Sequence, residues 1–164
     1  MDVVWRAFEL RPEPVPTLDP DGDYLHRIWG SSVYPMADRL GMKLRLPPVQ
    51  PRSRRAHQAA HWARTQGRFD EYHAAVFRAF FERGEDIGKT DILADLAANL
   101  KLDAELLRRA LEPGEFEKSV LADERAAQVF GIGGVPAFVA DRKAALTGVQ
   151  PVEQLRELVG HVRK

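Results

Sequence analysis

The run "GIGGVPAFVA", residues 131–140, constrains this chain more than any other stretch. Its Val, Phe and Ala content suits a strand, yet a proline sits near its beginning. Proline has no N–H to give a sheet ladder, so Pro136 belongs at a strand start or in a tight turn. Its peptide bond there is either a plain trans link or a cis link that shapes the turn. Downstream, "PAFVA" and "AALTGV" alternate with period 2 and are joined across "DRK", the pattern of a hairpin. "QPVEQLRELVGHVRK" then returns to helical spacing, with Pro151 at its first turn and Arg163 and Lys164 at its end.

Upstream, the period is 3.6 over roughly 100 residues. "DYLHRIWGSSVYPMADRLG" is expected as one broken helix or two short ones, interrupted at Pro35 and stopped at Gly41. "RSRRAHQAAHWARTQG" ends at Gly67. "RFDEYHAAVFRAFFERG" carries Tyr72, Val76 and Phe80 beside Phe69, Phe77 and Phe81, a broad face expected to be buried, and ends at Gly84. Thr90 and Asp103 read as N-caps of two further helices. A long helix follows through "FEKSVLADERAAQVFG". At the amino end, "DVVWRAFEL" (residues 2–10) reads as a strand. Both its faces are mostly apolar, which predicts an interior position.

Composition closes off several classes of function. The chain has 164 residues, enough for a single domain with a real core. Lys+Arg and Asp+Glu both number 24, so no net field favours nucleic acid or an anionic membrane. No apolar run reaches the ~18 residues of a membrane helix, and the amino end does not read as a signal peptide. A cytoplasmic protein with neither nucleic-acid nor membrane partners is expected. There is no cysteine, which removes disulfides, thiolate metal sites and thiol nucleophiles from these residues together.

The remaining candidate chemistry is sparse. His57 and His61 lie at i and i+4, a spacing that can ligate a metal, with His73 a third ligand from elsewhere. No general base follows His57, and the pattern fits packing or a surface pair better. "PRSRRAH" reads as a solvated or ion-paired face. "GIGG" lies between a helix and a strand and lacks the trailing Lys-Ser/Thr of a phosphate loop. Ser31 and Ser32 have no nucleophile elbow around them. No catalytic residue, no metal and no cofactor is assigned. Gly134, Val135 and Pro136 are the candidate substrate-binding residues, because extended backbone groups beside a cleft can pair with a peptide.

The chain resembles the DsbA-like branch of the thioredoxin superfamily, specifically the FrnE-type oxidoreductases. 2-Hydroxychromene-2-carboxylate isomerase and kappa-class glutathione transferase are close relatives of these. "AAQVFGIGGVPAFVADRKAALTGVQPVEQLRELV" carries the resemblance most specifically. "VVWRAFELRPEP", "AHQAAHWARTQG" and "VFRAFFERGEDIGKTDILADLA" support it. It implies an α/β, thioredoxin-like fold of DsbA type over residues 1–164. Residues 22–130 would be a mostly helical insertion and 131–164 a strand–strand–helix end. It also implies a cis bond at Pro136 and a substrate backbone held by Val135.

The family's first strand, first helix and Cys-x-x-Cys or Ser motif have no counterpart in these residues. By the resemblance, that strand would lie between the second and third. Its removal leaves a gap of two strand spacings, about 9.6 Å, lined by unpaired backbone groups. Three outcomes are open: residues 3–9 move over to pair with 136–140, a second copy fills the gap, or the natural protein starts upstream. An upstream start or a homodimer is expected over an open monomer. The functional expectation is a thiol–disulfide oxidoreductase homologue that is redox-inactive as written. The alternatives are a non-catalytic peptide- or small-ligand-binding protein and a glutathione-dependent isomerase or transferase relative.

Overall fold

The computed structural model describes residues 2–162. The chain divides into two compact units, Arg11–Val120 and Met1–Leu10 with Leu121–Lys164. They are called here the helical unit and the hairpin unit.

The helical unit begins with α1 (Asp23–Ile28), a π-helical turn (Trp29–Val33) and α2 (Tyr34–Arg39). Pro35 does not break this run. It falls in the first turn of α2, directly after the π-helical turn that accommodates it within one continuous run. Then come α3 (Arg54–Thr65), α4 (Phe69–Phe77) with a π-helical extension (Arg78–Glu82), α5 (Thr90–Asn99) and α6 (Ala104–Leu111). Asp103 caps α6 as its sequence suggests, accepting the N–H groups of Glu105 and Leu106 at 3.0 Å. Thr90 does not cap α5. Lys89 precedes the helix, and the Thr90 hydroxyl instead accepts from Arg55 Nη1 at 3.0 Å. Gly84 ends the α4 arm at φ +69, and a Cβ there would meet the Pro48 ring at 2.8 Å.

The core of this unit follows from side-chain size. Ala56, Ala59 and Ala63 give α3 a small face against which neighbouring helices approach closely. Trp62, Tyr72, Leu93, Leu96, Leu107 and Leu111 fill the space so left. Each buried leucine contributes roughly 1.5–3 kcal/mol by leaving water. The Tyr72 hydroxyl donates to the Leu93 carbonyl at 2.9 Å, so the one polar atom on that ring is satisfied. Phe77 departs from expectation: it is 46% exposed. The buried face of α4 runs through Tyr72, Ala75 and Ala79, and Phe77 lies about a third of a turn outside it.

α7 (Glu117–Val129) starts in one unit and ends in the other. Gly131 terminates it at φ +66, with Gly131 N–H on the Gln128 carbonyl and Ile132 N–H on that of Ala127, both at 2.9 Å. β1 (Ala137–Ala140) and β2 (Ala144–Thr147) form an antiparallel hairpin with Ala137 opposite Thr147 and Ala140 opposite Ala144. α8 (Val152–His161) follows. The expected strand at residues 2–10 is not formed. Among the described residues the sheet is β1 and β2 alone. A strand needs a neighbour to exchange hydrogen bonds with, and strand composition alone does not supply one. The interior position expected for this segment is not seen either: Val3, Val4 and Trp5 are all more than half exposed.

Candidate functional site

The hairpin decides which backbone groups are free. In an antiparallel pair, hydrogen-bonded and non-hydrogen-bonded residue pairs alternate along the ladder. Gly148 N–H donates to the Pro136 carbonyl at 2.8 Å, and Lys143 N–H to that of Ala140 at 2.9 Å. Pro136, Phe138 and Ala140 therefore address β2. Ala137 and Val139 turn their N–H and C=O toward the opposite edge, where no strand lies among the described residues. The bond between Val135 and Pro136 is cis. Among the described residues, the N–H and C=O of Val135 have no hydrogen-bond partner, and the residue is half exposed. A Cβ placed on Gly133 or Gly134 would meet nothing within 4 Å, so open space faces this stretch. The three candidate residues thus form one exposed turn at the head of β1.

Asp123 anchors the amino-terminal segment of the same unit. Asp123 of α7, 3% exposed, accepts from Arg6 Nη1 at 2.9 Å and from the backbone N–H of Ala7 at 3.0 Å. Ala7 and Glu9 are buried, while residues 2–6 are exposed. Sequence reasoning missed Asp123. The signal was there: it lies three residues after Val120 and four before Ala127, on the apolar side of its helix.

A groove of about 400 Å³ lies between β2 and α8, lined by Ala144, Ala145, Leu146, Gln154, Glu157, Leu158 and His161. Gly134, Val135 and Pro136 do not line it.

The histidines belong to the helical unit. His73 stacks on Phe69 at 5.0 Å and meets Phe77 edge-on at 4.7 Å. Burial, with the nearby charge of His57, holds its pKa below the usual 6.5. Among the described residues no three His, Asp or Glu are placed to hold a metal ion. Ser31 and Ser32 sit exposed on the π-helical turn, their hydroxyls 3.4 Å apart. The arginines of "PRSRRAH" are engaged: Arg52 with Glu13, Arg54 with Glu117 and Arg55 with Thr90.

A helical block set before a hairpin and helix, with a cis-proline at the hairpin's head, is a specific arrangement. Residues 1–160 match the family described as the DSBA-like thioredoxin domain. The chain belongs to that family. It is 36% identical over 143 residues to the uncharacterized protein YwbO of Bacillus subtilis (strain 168), covering 85% of this chain and 72% of that protein. Among solved structures it is similar to a probable DsbA oxidoreductase from Streptomyces coelicolor. There the TM-score is 0.72 at 27% identity, over 95% of this chain and 73% of that one. A candidate protein disulfide isomerase from Nitrosomonas europaea shares the fold. Its TM-score is 0.68 at 21% identity, over 89% of this chain and 76% of that one. As a DsbA-family domain this chain has the helical insertion and the strand–strand–helix end, but none of its 164 residues is cysteine.

Proposed function

We propose that this DsbA-family chain is of the FrnE type, holds an extended polypeptide at Val135, and carries out no thiol exchange with its own residues. The observation that carries the reading is the pair of unpartnered backbone groups on exposed Val135, at the head of a strand whose outer edge is open. An extended peptide recognises such an edge through main-chain hydrogen bonds, which read no particular sequence. The absence of redox chemistry is dictated by composition. Exchange proceeds by thiolate attack on a disulfide, and these residues supply no thiolate. The Streptomyces relative is named a probable DsbA oxidoreductase, which agrees with the fold on which this reading is built. No helix among the described residues is long and apolar enough to cross a membrane, and a cytoplasmic location is part of this proposal.

The test is an NMR titration of the chain with reduced, alkylated insulin B chain, run beside an insulin-reduction assay. The amides of Gly134, Val135 and Ala137 should shift saturably, and reduction should stay at the uncatalysed background. Val135→Pro, which removes the donor, should weaken binding without changing helix content. Shifts that spare residues 134–137, or a clear rate of reduction, would contradict the proposal.

A further inference from the structure

The groove between β2 and α8 lies along the other edge of the hairpin, away from the open edge of β1. Because Pro136, Phe138 and Ala140 bond toward β2, the residues opposite Ala137 and Val139 turn their own N–H and C=O outward. These are Thr147 and Ala145. The Thr147 carbonyl is taken, since Gln150 Nε2 donates to it at 2.6 Å. Ala145 lines the groove, and among the described residues its N–H and C=O have no partner. Alternation along β2 leaves Ala144 and Leu146 half-buried on the face toward α8, with Ala145 and Thr147 exposed on the other. On α8, Gln154, Glu157, Leu158 and His161 fall within about 100° of one another round the axis and form one flank. That flank runs about 10 Å along the helix, the length of roughly three residues of extended chain.

We propose that this groove takes a basic, extended polypeptide segment, which adds to the edge of β2 at Ala145 and sets a lysine or arginine on Glu157. Charge names the partner. Among the described residues that line the groove none is lysine or arginine, and Glu157 is the carboxylate. Exposed Glu153, one turn earlier and about 40° round the helix, adds its charge at the rim. Arg156 lies about 100° round the helix from Glu157, on the side away from the groove. Of the cations in the hairpin turn, Lys143 is ion-paired with Asp141 at 2.8 Å and Arg142 does not line the groove. The edge names the conformation. A residue that exchanges both hydrogen bonds with Ala145 points its side chain away from α8, as Ala145 does, and the residues on either side of it point into the groove. One of these meets the apolar floor of Leu146 and Leu158, and the other reaches Glu157. The pattern recognised is therefore a basic and an apolar residue two apart. Main-chain pairing supplies affinity for any sequence, and this alternate pair supplies the choice. A lone amine would answer Glu157 and leave Ala145 unpaired. Val135 does not line the groove, so this site stands independently of the polypeptide reading there.

The probe is the capped peptide acetyl-Thr-Lys-Thr-Leu-Thr-amide, titrated into the full chain and followed by NMR. The amides of Ala145 and Glu157 should shift saturably while that of Val135 stays still. Acetyl-Thr-Thr-Lys-Leu-Thr-amide, which puts lysine and leucine on opposite faces of a strand, should bind about 5-fold more weakly. Ala145→Pro removes the outward N–H at no cost in hairpin ladder bonds, and should weaken binding about tenfold. Glu157→Lys, at an exposed helix position, should leave the fold intact and weaken binding about 5-fold. The same variant should bind the peptide with glutamate in place of lysine more tightly than the wild type does. An Ala145 amide that does not shift with the first peptide overturns the proposal. So does equal binding of the two lysine peptides, since the segment then does not lie as a strand. n-Butylamine alone giving the same shift at Ala145 would make this an amine site and overturn strand addition. A Glu157→Lys variant that does not reverse the charge preference overturns the assignment of a basic partner.

Discussion

The helical unit and the hairpin unit meet the same requirement with opposite success. In Arg11–Val120, fourteen buried residues form one core of Ala, Leu, Ile, Trp and Tyr around α3 to α6. In the shorter hairpin unit the buried set is Ala7, Glu9 and Asp123, and α8 buries no residue at all. Nine of the seventeen large apolar side chains that stand exposed belong to that shorter unit, Val129 at 84% the most open among them. A thioredoxin-type sheet draws its core from several adjacent strands, and here two are paired. The insertion, being helical, satisfies its own backbone and needs only side-chain packing to stand. The sheet end, by contrast, pairs two strands among the described residues and packs few side chains.

The largest expected effect breaks the comparison at its strong side. Leu93→Ala empties a fully buried position in the helical core and should cost about 2–5 kcal/mol by chemical unfolding. Leu158→Ala on α8, where the side chain is half-buried beside the groove, should cost less than ~1 kcal/mol. Equal losses would mean that both units are packed alike.

A smaller effect is confined to the helical unit. His73 is held neutral by burial, by His57 and by Arg64, with Asp70 opposing them. Its folded pKa lies below the unfolded value, so the unfolded chain binds the proton more readily. Stability is therefore complete at neutral pH and above, and falls as pH drops through about 6.5 toward the folded pKa. His73→Gln should flatten that slope, read as urea midpoints between pH 7.5 and 5. A slope unchanged by the substitution would place its origin elsewhere.

Much of this was legible in the residues. Gly41, Gly67, Gly84 and Gly131 end helices as their positions suggest, Asp103 caps α6, and the change of period after Gly131 marks the hairpin. These features are local: a cap, a left-handed turn or a two-residue period depends on a few neighbours in sequence. What misled was non-local. "VVWRAFEL" has strand composition, but a ladder needs a second strand at the right distance. Phe77 and Phe80 share a periodic run, yet which is covered depends on where the adjacent helices lie. Asp123 looked like one more charge on a polar helix until Arg6 and Ala7, more than a hundred residues away in sequence, came to its side chain. At the candidate site, Gly134, Val135 and Pro136 stood out because proline at a strand head is costly to place. That Val135 has unpartnered backbone groups required the ladder register.

Native-state hydrogen exchange on the full chain at low concentration tests the contrast between the two units most directly. The account predicts that the amides of Leu93, Ala97 and Leu107 exchange only through global unfolding, while those of β1 and α8 exchange through local opening at a much lower free energy. Amides of β1 and α8 as slow as that of Leu93 under those conditions would contradict it, because the hairpin unit would then hold a core of its own.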